Sequence, residues 1–157
     1  GAPAPATGGP VTAPARPPLR HVLETVLYVD DLDAAARFYG GVLGLEEASR
    51  KAGVFVFYRL TRQMLLLFDA EAAKRSVAVP PHGAQGAGHV AFAVADADLE
   101  SWTRHLVIHG VELEAEVDWP NGGRSFYFRD PAGNSLEIAA PSIWGFDEAL
   151  ARADDER

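Results

Sequence analysis

The feature that most constrains the fold is an internal echo. The stretch Gly88-His89-Val90-Ala91-Phe92-Ala93-Val94-Ala95-Asp96 repeats, 65 positions on, the pattern of Leu23-Glu24-Thr25-Val26-Leu27-Tyr28-Val29-Asp30-Asp31, with His89 standing where Glu24 stands. Gly44-Leu45-Glu46 reappears as Gly110-Val111-Glu112 at a shift of 66, and Tyr58-Arg59 as Phe128-Arg129 at a shift of 70. Self-similarity at a nearly fixed offset means two copies of one structural unit.

Each copy reads as strand, helix and three strands. Val22 to Val29 is an almost continuous apolar, β-branched run, as a strand covered on both faces requires. Asp31 then suits a helix N-cap, a helix follows through Leu32, Ala35, Ala36, Phe38, Tyr39 and Val42, and Gly44 fits just past its end. Gly40 and Gly41 weaken that helix by about 1 kcal/mol each relative to Ala. Three short strand-like runs follow, at 46 to 50, 54 to 60 and 64 to 68. In the second copy a strand at 89 to 95 leads to Asp96, to a helix carrying Leu99, Trp102, Leu106 and Val107, and to a stop at Gly110. Strand-like runs come at 111 to 117, 125 to 129 and 135 to 139, and Asp130-Pro131-Ala132-Gly133-Asn134 has the Pro and Gly that a tight turn needs.

These units span residues 21–70 and 87–143, joined by a linker at 71–86 that contains Pro80-Pro81-His82. Residues 1–20 hold six of the eleven prolines and read as a disordered tail. Residues 144–157 read as an acidic surface helix that packs Trp144 and Phe146 on the body or on a partner subunit. The fold class expected is α+β, two tandem βαβββ modules.

Composition narrows the partners. A formal charge of -8 lacks the clustered Lys and Arg that neutralise phosphates, so nucleic acid is not an expected partner. The absence of cysteine removes disulfides and thiolate metal sites. No apolar run approaches the ~20 residues of a membrane span, and no basic-then-apolar leader opens the sequence, so no membrane and a cytoplasmic location are expected.

Side chains alternate across a strand, so parity identifies shared faces. Glu24, Val26 and Tyr28 share one face of the first strand; His89, Ala91 and Ala93 share one face of the fifth. If the larger apolar sets pack under the helices, Glu24 and His89 point to the opposite side, and Glu137 joins them from the last strand, opposite Leu136 and Ile138. Two neighbouring carboxylates are costly without a compensating cation, and a divalent metal held by Glu24, His89 and Glu137 resolves that cost. Mixed nitrogen and oxygen ligation suits Fe, Mn, Ni, Co or Zn. Each residue has an ordinary structural reading as well: an exposed strand end, a hydrogen-bonded core histidine, a carboxylate paired with Arg59 or Arg124. Tyr127, Tyr28 and His82 are the candidates for proton transfer, and Ala91, Trp119 and Arg124 for lining the substrate space.

The two βαβββ units, the Leu23–Leu32 and Gly88–Val94 openings, Phe38-Tyr39 ahead of Leu43-Gly44-Leu45, and Phe126 through Ile138 together resemble the vicinal oxygen chelate superfamily. That group includes glyoxalase I, extradiol dioxygenases, fosfomycin-resistance enzymes and bleomycin-resistance proteins, and the resemblance covers residues 21 to 143. It implies an incomplete eight-stranded barrel with a metal at Glu24, His89 and Glu137, a small oxygenated substrate chelated at open positions, and a homodimer. The first ligand position usually carries His or Gln in that group, and here it is Glu. The strand at Met64-Leu65-Leu66-Leu67-Phe68 lacks the fourth ligand of glyoxalase I, which points away from lactoylglutathione isomerisation and toward the dioxygenase and transferase branches. The competing expectation is a metal-free protein of the bleomycin-resistance type that sequesters a cationic small molecule.

Overall fold

The computed structural model describes residues 1–4, 8–9 and 15–152. The expectations for the rest of the tail at 1–20 and for 153–157 lie outside the described residues.

The first module runs β1 (Glu24–Val29), α1 (Leu32–Ala36), a wide π-type turn of helix (Arg37–Val42), β2 (Glu46–Lys51), β3 (Phe55–Arg59) and β4 (Met64–Asp69). A short α2 (Ala70–Lys74) opens the connection. The second module runs β5 (His89–Ala93), a 3-10 turn at Asp96–Asp98, α3 (Leu99–Ile108), β6 (Ala115–Asp118), β7 (Arg124–Arg129) and β8 (Ser135–Ala139). Each module is a four-stranded mixed sheet, in the orders β1-β4-β3-β2 and β5-β8-β7-β6, with the first and last strands of each module parallel.

Local chemistry accounts for the elements. The Asp31 carboxylate accepts the Ala34 N–H at 3.0 Å and caps α1. Helix geometry then widens where Gly40-Gly41 leaves the backbone unsupported by side chains, so the helix expected through Val42 is α-helical only to Ala36. Gly44 and Gly110 end the two helical segments at φ +71° and +77°, a conformation that costs glycine nothing. The connection read as a plain linker contains α2 because Asp69 caps it, accepting the Ala72 N–H at 2.9 Å.

The core belongs to both modules at once. Leu27, Val29, Val56, Tyr58, Leu65 and Leu67 of the first sheet and Phe126, Phe128, Leu136 and Ile138 of the second form one buried cluster with Phe38, Tyr39, Leu99 and Leu106 from the helical segments. All of these sheet residues lie on the helix-side faces. Each fully buried Leu or Phe contributes roughly 1.5–3 kcal/mol, so this shared cluster fixes the two modules to each other through their helices. The Phe38 and Phe128 rings meet at 6.3 Å, and the Val42 carbonyl lies 2.7 Å from His105 Nε2.

A polar knot seals the joint. The Tyr39 hydroxyl donates to Asp130 Oδ2 at 2.7 Å; Asn134 donates its backbone N–H to Asp130 Oδ1 and its side-chain amide to Asp130 Oδ2 and the Tyr28 carbonyl. Asn134 Oδ1 in turn accepts the Gly88 N–H at 2.8 Å. One turn residue therefore ties β1 to the entry of β5.

The tail departs from its expectation. Its described part forms 3-10 turns at Pro141–Trp144 and Glu148–Ala151, not an α-helix, and Trp144 and Phe146 are 77% and 61% exposed within the chain. Ile143 is the residue that packs, against Gly123, while Asn121 Nδ2 donates to the Ile143 carbonyl at 2.7 Å.

Candidate metal centre and open sheet faces

The face of each sheet away from the shared core is open. On the second sheet it carries His89, Ala91 and Ala93 from β5, Ser135, Glu137 and Ala139 from β8, and Ser125 and Tyr127 from β7. Ala91, Glu137 and Tyr127 are register partners and make one row across the sheet. His89 stands one pair further along, opposite Ser135.

His89 and Glu137 meet on this face. His89 Nδ1 lies 2.9 Å from the Ser135 carbonyl, which can only accept, so Nδ1 carries the proton. In the neutral ring Nε2 then presents a lone pair, and it stands 3.2 Å from Glu137 Oε1. Two acceptors facing each other require a shared cation or proton. Glu137 is 5% exposed, and its Oε2 is buried with no hydrogen-bond partner. A buried carboxylate oxygen left alone costs about 1–3 kcal/mol or more, which a bound cation removes. An imidazole oriented by a backbone carbonyl, beside a carboxylate with a free buried oxygen, is a donor set that fits a divalent metal.

Tyr127 flanks the pair, its ring stacked on His89 at a 6.0 Å centroid distance and a 20° angle. Burial, and then the Glu137 carboxylate, push its phenol above the ordinary range, while a hydrogen bond with Ser125 opposes the shift. Trp119 Nε1 donates to the Ser125 hydroxyl at 2.9 Å, which fixes the indole beside the same face. Ala91, next to Glu137, leaves that row shallow.

Other candidates fall elsewhere. Arg124 lies on the helix-side parity of β7, over the Phe126 ring at 5.7 Å and 3.4 Å from Glu116. Glu24 is exposed on the open face of β1, and among the described residues no three His, Asp or Glu side chains of one chain come together as a metal-binding group. Its register row is Glu24, Met64 and Arg59; the next is Val26, Leu66 and Phe57; the third is Tyr28, Phe68 and Phe55. By the repeat, Leu66 takes the place of Glu137, Phe57 that of Tyr127 and Val26 that of Ala91. The first module thus presents an apolar face where the second presents a polar one.

Sequence reasoning did not single out that apolar face. Phe55 and Phe57 stack at 4.0 Å, and Phe68 meets Phe57 edge-on at 5.3 Å. The signal was available in the alternation of Phe55, Phe57 and Arg59, all of one parity. His82 lies against the same face: its ring sits edge-on to Phe68 at 4.8 Å, and its Nδ1 lies 2.6 Å from the Tyr28 hydroxyl.

Two βαβββ modules, each a four-stranded mixed sheet packed through its helix side on a shared core, define the class of fold, and sequence comparison gives its family. The profile of the Glyoxalase/Bleomycin resistance protein/Dioxygenase superfamily matches residues 19–138, and the chain belongs to that superfamily. Among solved structures it is similar to a lactoylglutathione lyase from Agrobacterium tumefaciens, with 44% identity, a TM-score of 0.80, and coverage of 83% of this chain and 100% of that one. It is also similar to a glyoxalase/bleomycin resistance protein/dioxygenase from Nocardioides (25% identity, TM-score 0.65, 80% and 86% covered). A glyoxalase-related enzyme from Fulvimarina pelagi resembles it at 27% identity and a TM-score of 0.61, with 82% and 94% covered. No curated protein matches it. Among the described residues no helix is long and apolar enough to cross a membrane.

Proposed function

We propose that the protein is a metal-dependent enzyme of this superfamily, with a divalent cation held by His89 and Glu137 of one copy and by Glu24 of a second copy. The observation that carries the reading is the lone buried Oε2 of Glu137 beside a histidine whose Nε2 lone pair faces Oε1. Support for a second copy comes from the way the modules meet: their helix sides share one core, and among the described residues Glu24, His89 and Glu137 do not gather as a metal-binding group within one chain. A homodimer that lays the first module's open face over the second module's open face closes two equivalent cavities.

When bound, the metal supplies Lewis-acid polarisation to paired oxygens of a small substrate. Glu137 and His89 hold negative charge and a lone pair where a cation is needed. Tyr127, beside both and held protonated by its surroundings, donates a hydrogen bond to a substrate oxygen and is the residue best placed to move a proton. Tyr28, two register rows from Glu24, is not.

The lactoylglutathione lyase likeness covers 83% of this chain, yet Leu66 offers no donor at the position equivalent to Glu137. Three protein ligands with open positions favour chelation of a vicinal-oxygen substrate over isomerisation of a glutathione thiohemiacetal. Elemental analysis of protein purified without chelator tests the reading: about one metal per chain is expected, lost in His89→Ala and Glu137→Ala. Wild-type protein without stoichiometric metal after loading with Fe, Mn, Ni, Co or Zn would leave the metal-free, ligand-sequestering alternative.

A further inference from the structure

The open face of the first module has a polar end that metal binding does not use. Tyr28 and Phe68 are register partners on it, and His82 reaches over both from the connection between modules. The histidine is not there by slack. Its N–H bonds the Ala73 carbonyl at 3.3 Å, and the following Gly83 sits so close to Lys74 that an added Cβ would lie 3.0 Å from Lys74 Cγ. Pro80-Pro81 stiffens the approach. A loop held this way fixes one imidazole against one phenol.

The pair leaves one hydrogen-bonding atom free. With the Tyr28 hydroxyl donating to Nδ1, the proton of the neutral ring sits on Nε2, and among the described residues Nε2 has no partner. The imidazole sits edge-on to Phe68, whose ring in turn meets Phe57 and Phe55.

Distance gives the pair its meaning. Register rows two residues apart are about 6.6 Å apart along a strand, so the Tyr28 row lies roughly 13 Å from the Glu24 row. Between them lie Val26, Leu66 and Phe57, with Ser49 of β2 at the edge of that row. A group bound by His82 is therefore not the group held at the metal.

We infer that Tyr28 and His82 form a second recognition point of the substrate site, taking the oxygen-bearing far end of an elongated, flat, apolar-bodied substrate whose paired oxygens occupy the metal end. This rests on the proposed metal site for the near end and on the Tyr28–His82 geometry alone for the far end. The substrate class is thus an aryl compound of one to two rings with vicinal oxygens at one end and an acidic or carbonyl group at the other.

Four probes separate the two ends in the metal-loaded dimer by calorimetric titration: acetohydroxamate, biphenyl-4-hydroxamate, 4'-carboxybiphenyl-4-hydroxamate and biphenyl-4-carboxylate. The first reads the metal alone, the second adds the aromatic surface, the third adds the far end and the fourth has no chelating group. The carboxylated hydroxamate is expected to bind about tenfold tighter than the unsubstituted one, the worth of one charge-assisted hydrogen bond. His82→Ala and Tyr28→Phe abolish that difference while leaving acetohydroxamate binding and metal content unchanged, and His82→Gln, which keeps an N–H donor, restores part of it. Equal affinities for the two biphenyl hydroxamates, or a His82→Ala loss shared by all probes, overturns the inference. If no metal binds and acetohydroxamate fails, the metal reading falls. The far end is then decided by biphenyl-4-carboxylate, whose binding by wild type but not by His82→Ala upholds it and whose failure to bind sinks it.

Discussion

His89 Nε2 stands 3.2 Å from Glu137 Oε1 across the hydrogen-bonded pair β5–β8, while the other oxygen of the same carboxylate is buried without a partner. The two residues are 48 positions apart and are brought together by parallel pairing of the first and last strands of one module. The relationship leaves one buried carboxylate oxygen without a hydrogen-bond partner, a condition that costs about 1–3 kcal/mol.

Glu137→Gln should therefore act in opposite directions on folding and on metal binding. The amide can donate an N–H to the His89 Nε2 lone pair, so the metal-free variant is expected to be more stable than wild type by about 1 kcal/mol. Metal affinity should fall by tenfold or more, since a charged ligand is lost. Thermal unfolding in chelator, beside a metal titration, reads both. A Glu137→Gln protein less stable than wild type in chelator would show that the carboxylate is already satisfied.

Tyr39 gives the molecule an alkaline limit. Burial first, and then Asp130, push its phenol far above the ordinary range, so it stays protonated in the folded chain. In the unfolded chain it ionises near pH 10, so the stability it confers is complete below that pH and falls by roughly 1.4 kcal/mol per pH unit above it. Tyr39→Phe should cost about 1 kcal/mol at neutral pH by removing one of three donors to Asp130, and should flatten the decline above pH 10. Denaturant titrations from pH 8 to 11 test this, and parallel profiles for the two proteins would exclude Tyr39 as the source.

Much of this arrangement is legible in the chain because parity is local. The alternation in β1, β5 and β8 places Glu24, His89 and Glu137 on open faces, and Gly44 and Gly110 mark the helix ends where a positive φ is required. What parity cannot convey is which open face meets which. That depends on the helix-side cluster, whose members Phe38 and Phe128 are 90 positions apart and which joins the two modules through their helix sides. The place of His82 was equally hidden, since a Pro- and Gly-rich stretch has no periodicity to read, and its anchor is a backbone bond to Ala73 in a helix that the composition conceals. The tail misled because an acidic, Ala-containing run has helical composition, yet Asp147 caps only a short 3-10 turn there.

The same tail depends on one glycine. A Cβ on Gly123 would lie 2.5 Å from Ile143 Cγ2 and 2.7 Å from the Ile143 backbone nitrogen, closer than any side-chain shift can relieve. Gly123→Ala is expected to displace the turn at Pro141–Trp144 and to cost about 1–3 kcal/mol, the usual range for overpacking. Limited proteolysis after Trp144 should accelerate along with the loss of thermal stability. A variant of wild-type stability with unchanged cleavage would mean that the tail is not held by this contact.

Placing Glu24 of one copy with His89 and Glu137 of another makes a prediction that no single-chain site can share. Glu24→Ala and His89→Ala chains each form homodimers with two damaged sites. In a mixed dimer, one cavity receives both substitutions and the other receives neither, so one complete site returns. Co-refolding the two variants with different affinity tags, isolating the hetero-dimer and measuring metal should give about half the wild-type content per dimer, against little in either homodimer. A site built within one chain would leave every cavity of the mixed dimer with one ligand missing, and the metal content would stay at the homodimer value.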